Sequence, residues 1–194
     1  MTSEKAADQA LVERVQRGDK KAFDVLVLKY QHKVANLVSR YIRDQAEVLD
    51  VTQEAFIKAY RALPKFRGDS AFYTWLYRVA INTAKNHLAA QSRRPPGDDI
   101  EAETAEQMDF GTKLKEGDTP ERMALQGEIA ETVQQALDEL PDDLRTAITL
   151  RELEGLSYDE IAQAMECPIG TVRSRIFRAR EAIDTKLRPL LEGG

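Results

Sequence analysis

The residues best equipped to act on another molecule fall into three strings. Near the C-terminus, Thr171, Arg173, Ser174, Arg175, Phe177 and Arg178 crowd together. Guanidinium groups bind phosphates and guanine edges, a hydroxyl reaches a phosphate or a base, and an aromatic ring meets a thymine methyl. In the first half, Trp75, Arg78, Asn82, Lys85 and Asn86 recur at helical spacing. An indole stacks on an unpaired base, amides read base edges and cations hold phosphates. Just before them, Phe66, Arg67 and Ser70 surround Gly68, the makings of a loop that pockets a flipped base. The third string is Asp50, Gln53, Glu54, Ile57 and Arg61. It sets one isoleucine among polar side chains, a composition that suits a protein interface.

Catalysis finds no comparable support. The pairs Asp98-Asp99 and Asp142-Asp143 come nearest to paired carboxylates, yet adjacent residues on a helix point apart. Two histidines (His32, His87) and one cysteine (Cys167) are too few for a transition-metal site. No glycine-rich loop ending in Lys-Ser or Lys-Thr is present to hold a nucleotide. The chain is expected to be no enzyme and to use no cofactor or metal. No apolar run approaches the ~20 residues that span a bilayer. Met1–Gln9 is polar where a signal peptide is apolar. A cytoplasmic protein without membrane insertion is expected.

The elements that must position these strings are helices. Apolar residues recur with the helical period, and no stretch alternates as a strand does, so the fold class is all-α. A short helix is expected at about Asp8–Arg17, stopped by Gly18. Asp19 can cap a second helix to about Arg43, whose apolar stripe is Phe23, Leu26, Tyr30, Val34, Leu37 and Tyr41. A third, at about Ala46–Leu63, turns Val48, Ala55, Phe56, Ala59 and Leu63 inward and the Asp50–Arg61 string outward. A fourth, at about Ala71–Ser92, puts Tyr73, Leu76, Tyr77, Ala80, Ile81, Ala84 and Leu88 on a core face, opposite the string from Trp75 to Asn86. Two readings of Trp75 are open: an exposed ring for base stacking, or a core ring tucked under the loop.

A second helical unit is expected at about 120–139, 142–154, 157–165 and 169–188. Ser157 and Glu160 form a capping-box pattern, the break Glu166-Cys167-Pro168 follows, and a basic helix comes next. That arrangement is a helix-turn-helix. On a helical wheel Val172, Ile176, Ala179 and Ile183 fall within about 60° of one another and must face the core. Ser174 and Arg178 lie nearly opposite, with Arg173 and Phe177 on one side and Arg175 on the other.

Charge divides the chain in the same way. The net charge is -5, but residues 1–96 carry +7, residues 97–124 carry -6 and residues 125–194 carry -6. Within the last part, 168–191 is locally +4. Two basic segments flank acidic material, and phosphate binding follows local charge rather than the sum. The expected organisation is a helical unit at 1–96, a flexible acidic linker at 97–119 and a helix-turn-helix unit at 120–194. Fully extended, the acidic residues 97–118 reach at most ~75 Å, about two turns of duplex at ~3.4 Å per base pair. Their acidity suits a path along a basic channel.

The strings DVTQEAFIKAY (50–60), FRGDSAFYTWLYR (66–78), GLSYDEIA (155–162) and GTVRSRIFRARE (170–181) closely resemble the extracytoplasmic-function sigma factors, above all the envelope-stress sigma-E type. The resemblance covers both halves and implies roles for matching positions. Asp50, Gln53 and Glu54 would dock the clamp helices of the RNA polymerase core. The loop Phe66–Ser70 and Asn82 would capture an extruded base of the promoter -10 element. The face from Arg173 to Arg178 would read the -35 element. It further implies contact with the polymerase β flap, and sequestration by an anti-sigma factor anchored in the inner membrane. A stand-alone helix-turn-helix regulator is the rival reading, but it leaves the first half idle.

Overall fold

The computed structural model describes residues 2–93 and 120–192. The expected linker at 97–119 lies outside these residues. Among the described residues there are eight α-helices, a single 3-10 turn and no strand. The helices are α1 (Thr2–Gln16), α2 (Lys20–Val38), α3 (Gln45–Ala62), α4 (Phe72–Gln91), α5 (Pro120–Glu139), α6 (Asp142–Glu152), α7 (Tyr158–Met165) and α8 (Ile169–Glu192); the 3-10 turn is Leu63–Lys65.

The local signals that set these helices act as their chemistry dictates. Gly18 follows α1 with a φ of 98°, a left-handed conformation that costs glycine little. Asp19 caps α2 by accepting from the Ala22 N–H, and Asp44 caps α3 by accepting from the Glu47 N–H. The capping box on α7 is complete: Ser157 Oγ accepts from the Glu160 N–H at 3.2 Å, and Glu160 Oε2 accepts from the Ser157 N–H at 2.9 Å. Three boundaries differ from expectation. α1 begins at Thr2 rather than Asp8. α2 stops at Val38, where Ser39 closes it with a hydroxyl bond to the Asn36 carbonyl. α8 runs through Pro189 to Glu192, where the proline takes one backbone donor from the ladder and only three residues of helix follow it.

α1–α4 pack together, α4 against both α2 and α3. In the second unit α8 packs against α5, α6 and α7. The two units do not stand apart. α4 also packs on α7, and a single continuous core cluster runs from Val12 to Ala179. This explains a departure on α4. Of the expected single core face, Leu76, Tyr77, Ala80, Ile81 and Ala84 are buried while Tyr73 and Leu88 are half-buried, and Phe72, Thr74, Trp75 and Thr83 are buried as well. Both sides of the helix are covered. A fully buried Leu or Ile stabilises by about 1.5–3 kcal/mol, so the shared core is a large contribution to holding the units together.

Arg145 joins the two units through the backbone. Its buried guanidinium donates to the carbonyls of Leu137, Asp138 and Leu140 at the end of α5, and to the Arg40 carbonyl beyond α2, all at 2.7–2.8 Å. The planar fork of arginine suits this bundle of acceptors at a helix C-terminus.

Candidate nucleic-acid interface

The helix-turn-helix is built from α7, the turn at Glu166–Pro168 and α8. Glu166 takes a φ of 51°, a strained conformation for a residue with a Cβ. Val172, Ile176 and Ala179 are buried, and Ile183 packs on the same core. Rotation of the helix therefore presents Arg173, Ser174, Phe177 and Arg178 to solvent; Phe177 is 67% exposed. Thr171 is half-buried at the start of the helix. Arg175 departs from the expected free position. It is half-buried, with Nη2 2.6 Å from Asp143 Oδ2 and Nη1 3.4 Å from Cys167 Sγ. Its place on the wheel turns it toward α6 and the turn, and Asp143 in the first turn of α6 offers it a carboxylate.

The loop before α4 is anchored by aromatic packing. Phe66 lies with its ring centroid 5.1 Å from that of Trp75 and 6.4 Å from that of Phe72. Trp75 is only 8% exposed, so the structure selects the second of its two readings: the ring is core beneath the loop. The physical reason is that Phe66 and Phe72 together close over the indole. Beyond Phe66, Arg67 pairs with Asp69 at 3.0 Å, Gly68 has a φ of 78°, and Ser70 is half-buried.

The remaining face of α4 is polar, but the second unit covers much of it. Arg78 is half-buried and Asn86 exposed. Asn82 is half-buried and donates from Nδ2 to Glu166 Oε2 at 3.0 Å. Lys85 Nζ lies 3.1 Å from Asp143 Oδ1. The two oxygens of Asp143 thus hold one cation from each half, Lys85 and Arg175. Further along the junction Tyr73 donates to Glu160 and Tyr77 to Glu154, while Lys5 pairs with Glu160 and Lys33 with Glu154. Burial pushes the Glu160 carboxyl up, but hydrogen bonds from Tyr73, the Ser157 backbone and Lys5 outweigh it and bring it down to about 2. Burial and the adjacent glutamates push the Tyr77 and Tyr73 hydroxyls up.

The α3 string is uncovered among the described residues. Asp50, Gln53, Glu54, Ile57 and Arg61 are all exposed, Ile57 by 50%. Leu49 is exposed beside them, and Glu54 pairs along the helix with Lys58 at 2.7 Å. Sequence reasoning missed Arg145 altogether, met Glu166 only as part of the turn of the helix-turn-helix, and met Asp143 only as half of an adjacent acidic pair. For Glu166 and Asp143 the partners Asn82, Lys85 and Arg175 lie tens of residues away in the chain; Arg145 reaches Leu137, Asp138 and Leu140 only five to eight residues back, but its fourth acceptor, Arg40, is distant.

Residues 26–94 match Sigma-70 region 2, and residues 130–183 match Sigma-70 region 4. Both proteins of the following pair are similar along nearly their full length. The RNA polymerase sigma-H factor of Pseudomonas aeruginosa is 67% identical over 184 residues, covering 95% of either chain. The ECF RNA polymerase sigma-E factor of Escherichia coli K12 is 64% identical over 189 residues, covering 97% of this chain and 98% of its own. Among solved structures, CnrH in complex with the cytosolic domain of CnrY is 25% identical with a TM-score of 0.65, covering 94% of this chain and 97% of that one. The chain belongs to the extracytoplasmic-function sigma factors. Its matches span both halves, so the stand-alone regulator reading falls, and sigma factors are initiation factors rather than enzymes. Among the described residues no helix is long and apolar enough to cross a membrane.

Proposed function

We propose that this sigma factor docks on core RNA polymerase through the exposed α3 face (Asp50, Gln53, Glu54, Ile57 and Arg61), and that the clamp receives it. Residues 1–96 act as the -10 unit and residues 120–194 as the -35 unit, with 97–119 as the tether. Arg173, Ser174, Phe177 and Arg178 enter the major groove at the -35 element, with Thr171 at the helix start and Arg175 at the edge. Phe66, Arg67, Ser70 and Asn82 receive an extruded base of the -10 element, while Arg78, Lys85 and Asn86 follow the strand. Trp75 supports this site from beneath.

Each unit is too small to bind a promoter tightly alone, and the polymerase brings both to bear at high effective concentration. Melting is then driven by binding of the opened strand, with no nucleotide hydrolysis by this chain. The observation that carries this reading is the pair of exposed faces on α3 and α8, each a polar surface from which apolar side chains protrude, Leu49 and Ile57 on the first and Phe177 on the second.

The promoters served are those of envelope stress, as the resemblance of the motifs to the sigma-E type implies. Control falls to an anti-sigma factor anchored in the inner membrane, which holds the otherwise cytoplasmic chain inactive. The solved complex of CnrH with a cytosolic domain supports a partner of that kind. The test is run-off transcription with purified core polymerase on randomised promoters, with and without the chain. Start sites that need the chain and share two spaced elements are expected. Tight duplex binding without polymerase, and no new start sites, would overturn the proposal.

A further inference from the structure

The loop that receives the -10 base is held from outside as well as from beneath. Gln16, the last residue of α1, sends its side-chain amide across the chain to the start of this loop. Its Nε2 donates to the Leu63 carbonyl at 3.0 Å and to the Phe66 carbonyl at 2.9 Å. Leu63 is fully buried and its carbonyl also accepts from the Phe66 N–H at 3.0 Å. One amide group therefore ties the buried end of the 3-10 turn to the carbonyl that leads into Arg67 and Gly68. Gln9, two turns earlier on α1, lies against Gly68, where an added Cβ would sit 3.8 Å from its Oε1.

α1 is itself a rigid mount. Val12 is fully buried in the core. Asp8 is 1% exposed and accepts from the Tyr30 hydroxyl at 2.5 Å and from Lys29 Nζ at 2.6 Å. A buried carboxylate with both partners in place fixes a helix against its neighbour, since any shift leaves the charge unpaired. The loop's entry is thus clamped between the Trp75 ring on one side and the α1 amide on the other.

We propose that Gln16 is a positioning residue for promoter opening, presetting the Phe66–Ser70 loop in the shape that receives an extruded base. The inference rests on the reading of that loop as the base receiver. Preorganisation of a binding loop lowers the ordering cost at the moment of binding. Two carbonyl oxygens point at one group, so that group must be a donor. Gln16→Glu keeps the size but presents only acceptors to those carbonyls at neutral pH. Gln16→Ala removes the contact and, as the better helix former, favours α1 if anything. A role confined to helix stability therefore predicts no loss in the alanine variant.

The test uses the full chain with core polymerase. Opening is followed by permanganate reactivity, and Trp75, the chain's only tryptophan, reports on the loop through Phe66. Both variants are expected to open the promoter about tenfold more slowly, the scale of one hydrogen bond's net contribution, with core binding unchanged and Trp75 emission shifted to the red. Restored opening in Gln16→Lys, which again offers a donor, supports the same conclusion. Unchanged Trp75 emission and unchanged opening in Gln16→Glu would overturn the proposed contact. A red shift with normal opening would instead overturn the reading of the loop as base receiver, and the inference with it. An equal loss of core binding and thermal stability would reduce Gln16 to a structural residue and overturn the proposal.

Discussion

Asn82 on α4 and Glu166 in the turn of the helix-turn-helix meet at 3.0 Å, amide to carboxylate. A residue proposed to read an unpaired base in one unit is thus occupied, in the free chain, by an acceptor from the other. For Asn82 to reach a base this contact must break, and the alternative partner is another hydrogen-bonding edge. Asn82→Ala is expected to slow promoter opening while leaving the closed complex nearly intact. Permanganate footprinting and duplex binding, measured side by side, separate the two; an equal loss in both contradicts the assignment.

Arg145 is predicted to be among the most sensitive positions outside the binding faces. Truncating it takes a donor from four carbonyls, three of them at one helix end, although the Leu137 carbonyl keeps the Leu140 N–H. Arg145→Ala should destabilise by about 2–4 kcal/mol in urea titrations. Arg145→Lys should recover only part, because an ammonium group cannot reproduce the fork. A lysine variant as stable as wild type would contradict the geometric argument.

Acid should weaken the junction between the units. The packed Glu160 carboxyl lies at about 2, below its ordinary 4.5. A depressed carboxyl contributes fully above pH 4.5, and that contribution is lost as pH falls from there toward 2. Denaturation midpoints should therefore drop across this window. Glu160→Gln, which keeps a capping-box side chain on α7, should flatten the slope. An unaltered pH profile in that variant would remove Glu160 from the explanation.

Trp75 distinguishes a core ring from a contact ring by stability. At 8% exposure, Trp75→Ala should cost about 3–5 kcal/mol, and Trp75→Phe about 1–2 kcal/mol. Emission of the free chain should be blue-shifted, as expected for a ring out of water. A nearly neutral alanine variant would show that the indole is not packed as described.

Phe177 and Arg178 make the opposite case. Both lie on the exposed side of α8, so Phe177→Ala should change stability by less than ~0.5 kcal/mol while weakening use of promoters with a matched -35 element. Arg178→Ala should lower the salt dependence of promoter binding by about one counterion if it holds a phosphate. An unchanged slope, with lost discrimination at one base pair, would assign it to a base edge instead.

Much of this was legible in local patterns. The caps at Asp19 and Ser157, the glycine stop at Gly18 and the break at Glu166–Pro168 act within a few residues of themselves, so the sequence shows them directly. The same holds for the α8 face, because Val172, Ile176 and Ala179 must be buried together, and that leaves Arg173, Ser174, Phe177 and Arg178 outside. The fate of Trp75 was not legible, since a wheel drawn for α4 does not include Phe66 folding back from the preceding loop.

By itself, then, the sequence determined the helices, the inward and outward faces of α3 and α8, and the two separate basic regions, because these depend on the helical repeat and on nearest neighbours in the chain. The tertiary structure alone decided that Arg175 and Lys85 share Asp143, that Asn82 faces Glu166, and that Gln16 holds carbonyls about fifty residues away. Those contacts depend on where distant segments come to rest. That is a property of the packed core as a whole, which no short window of residues encodes.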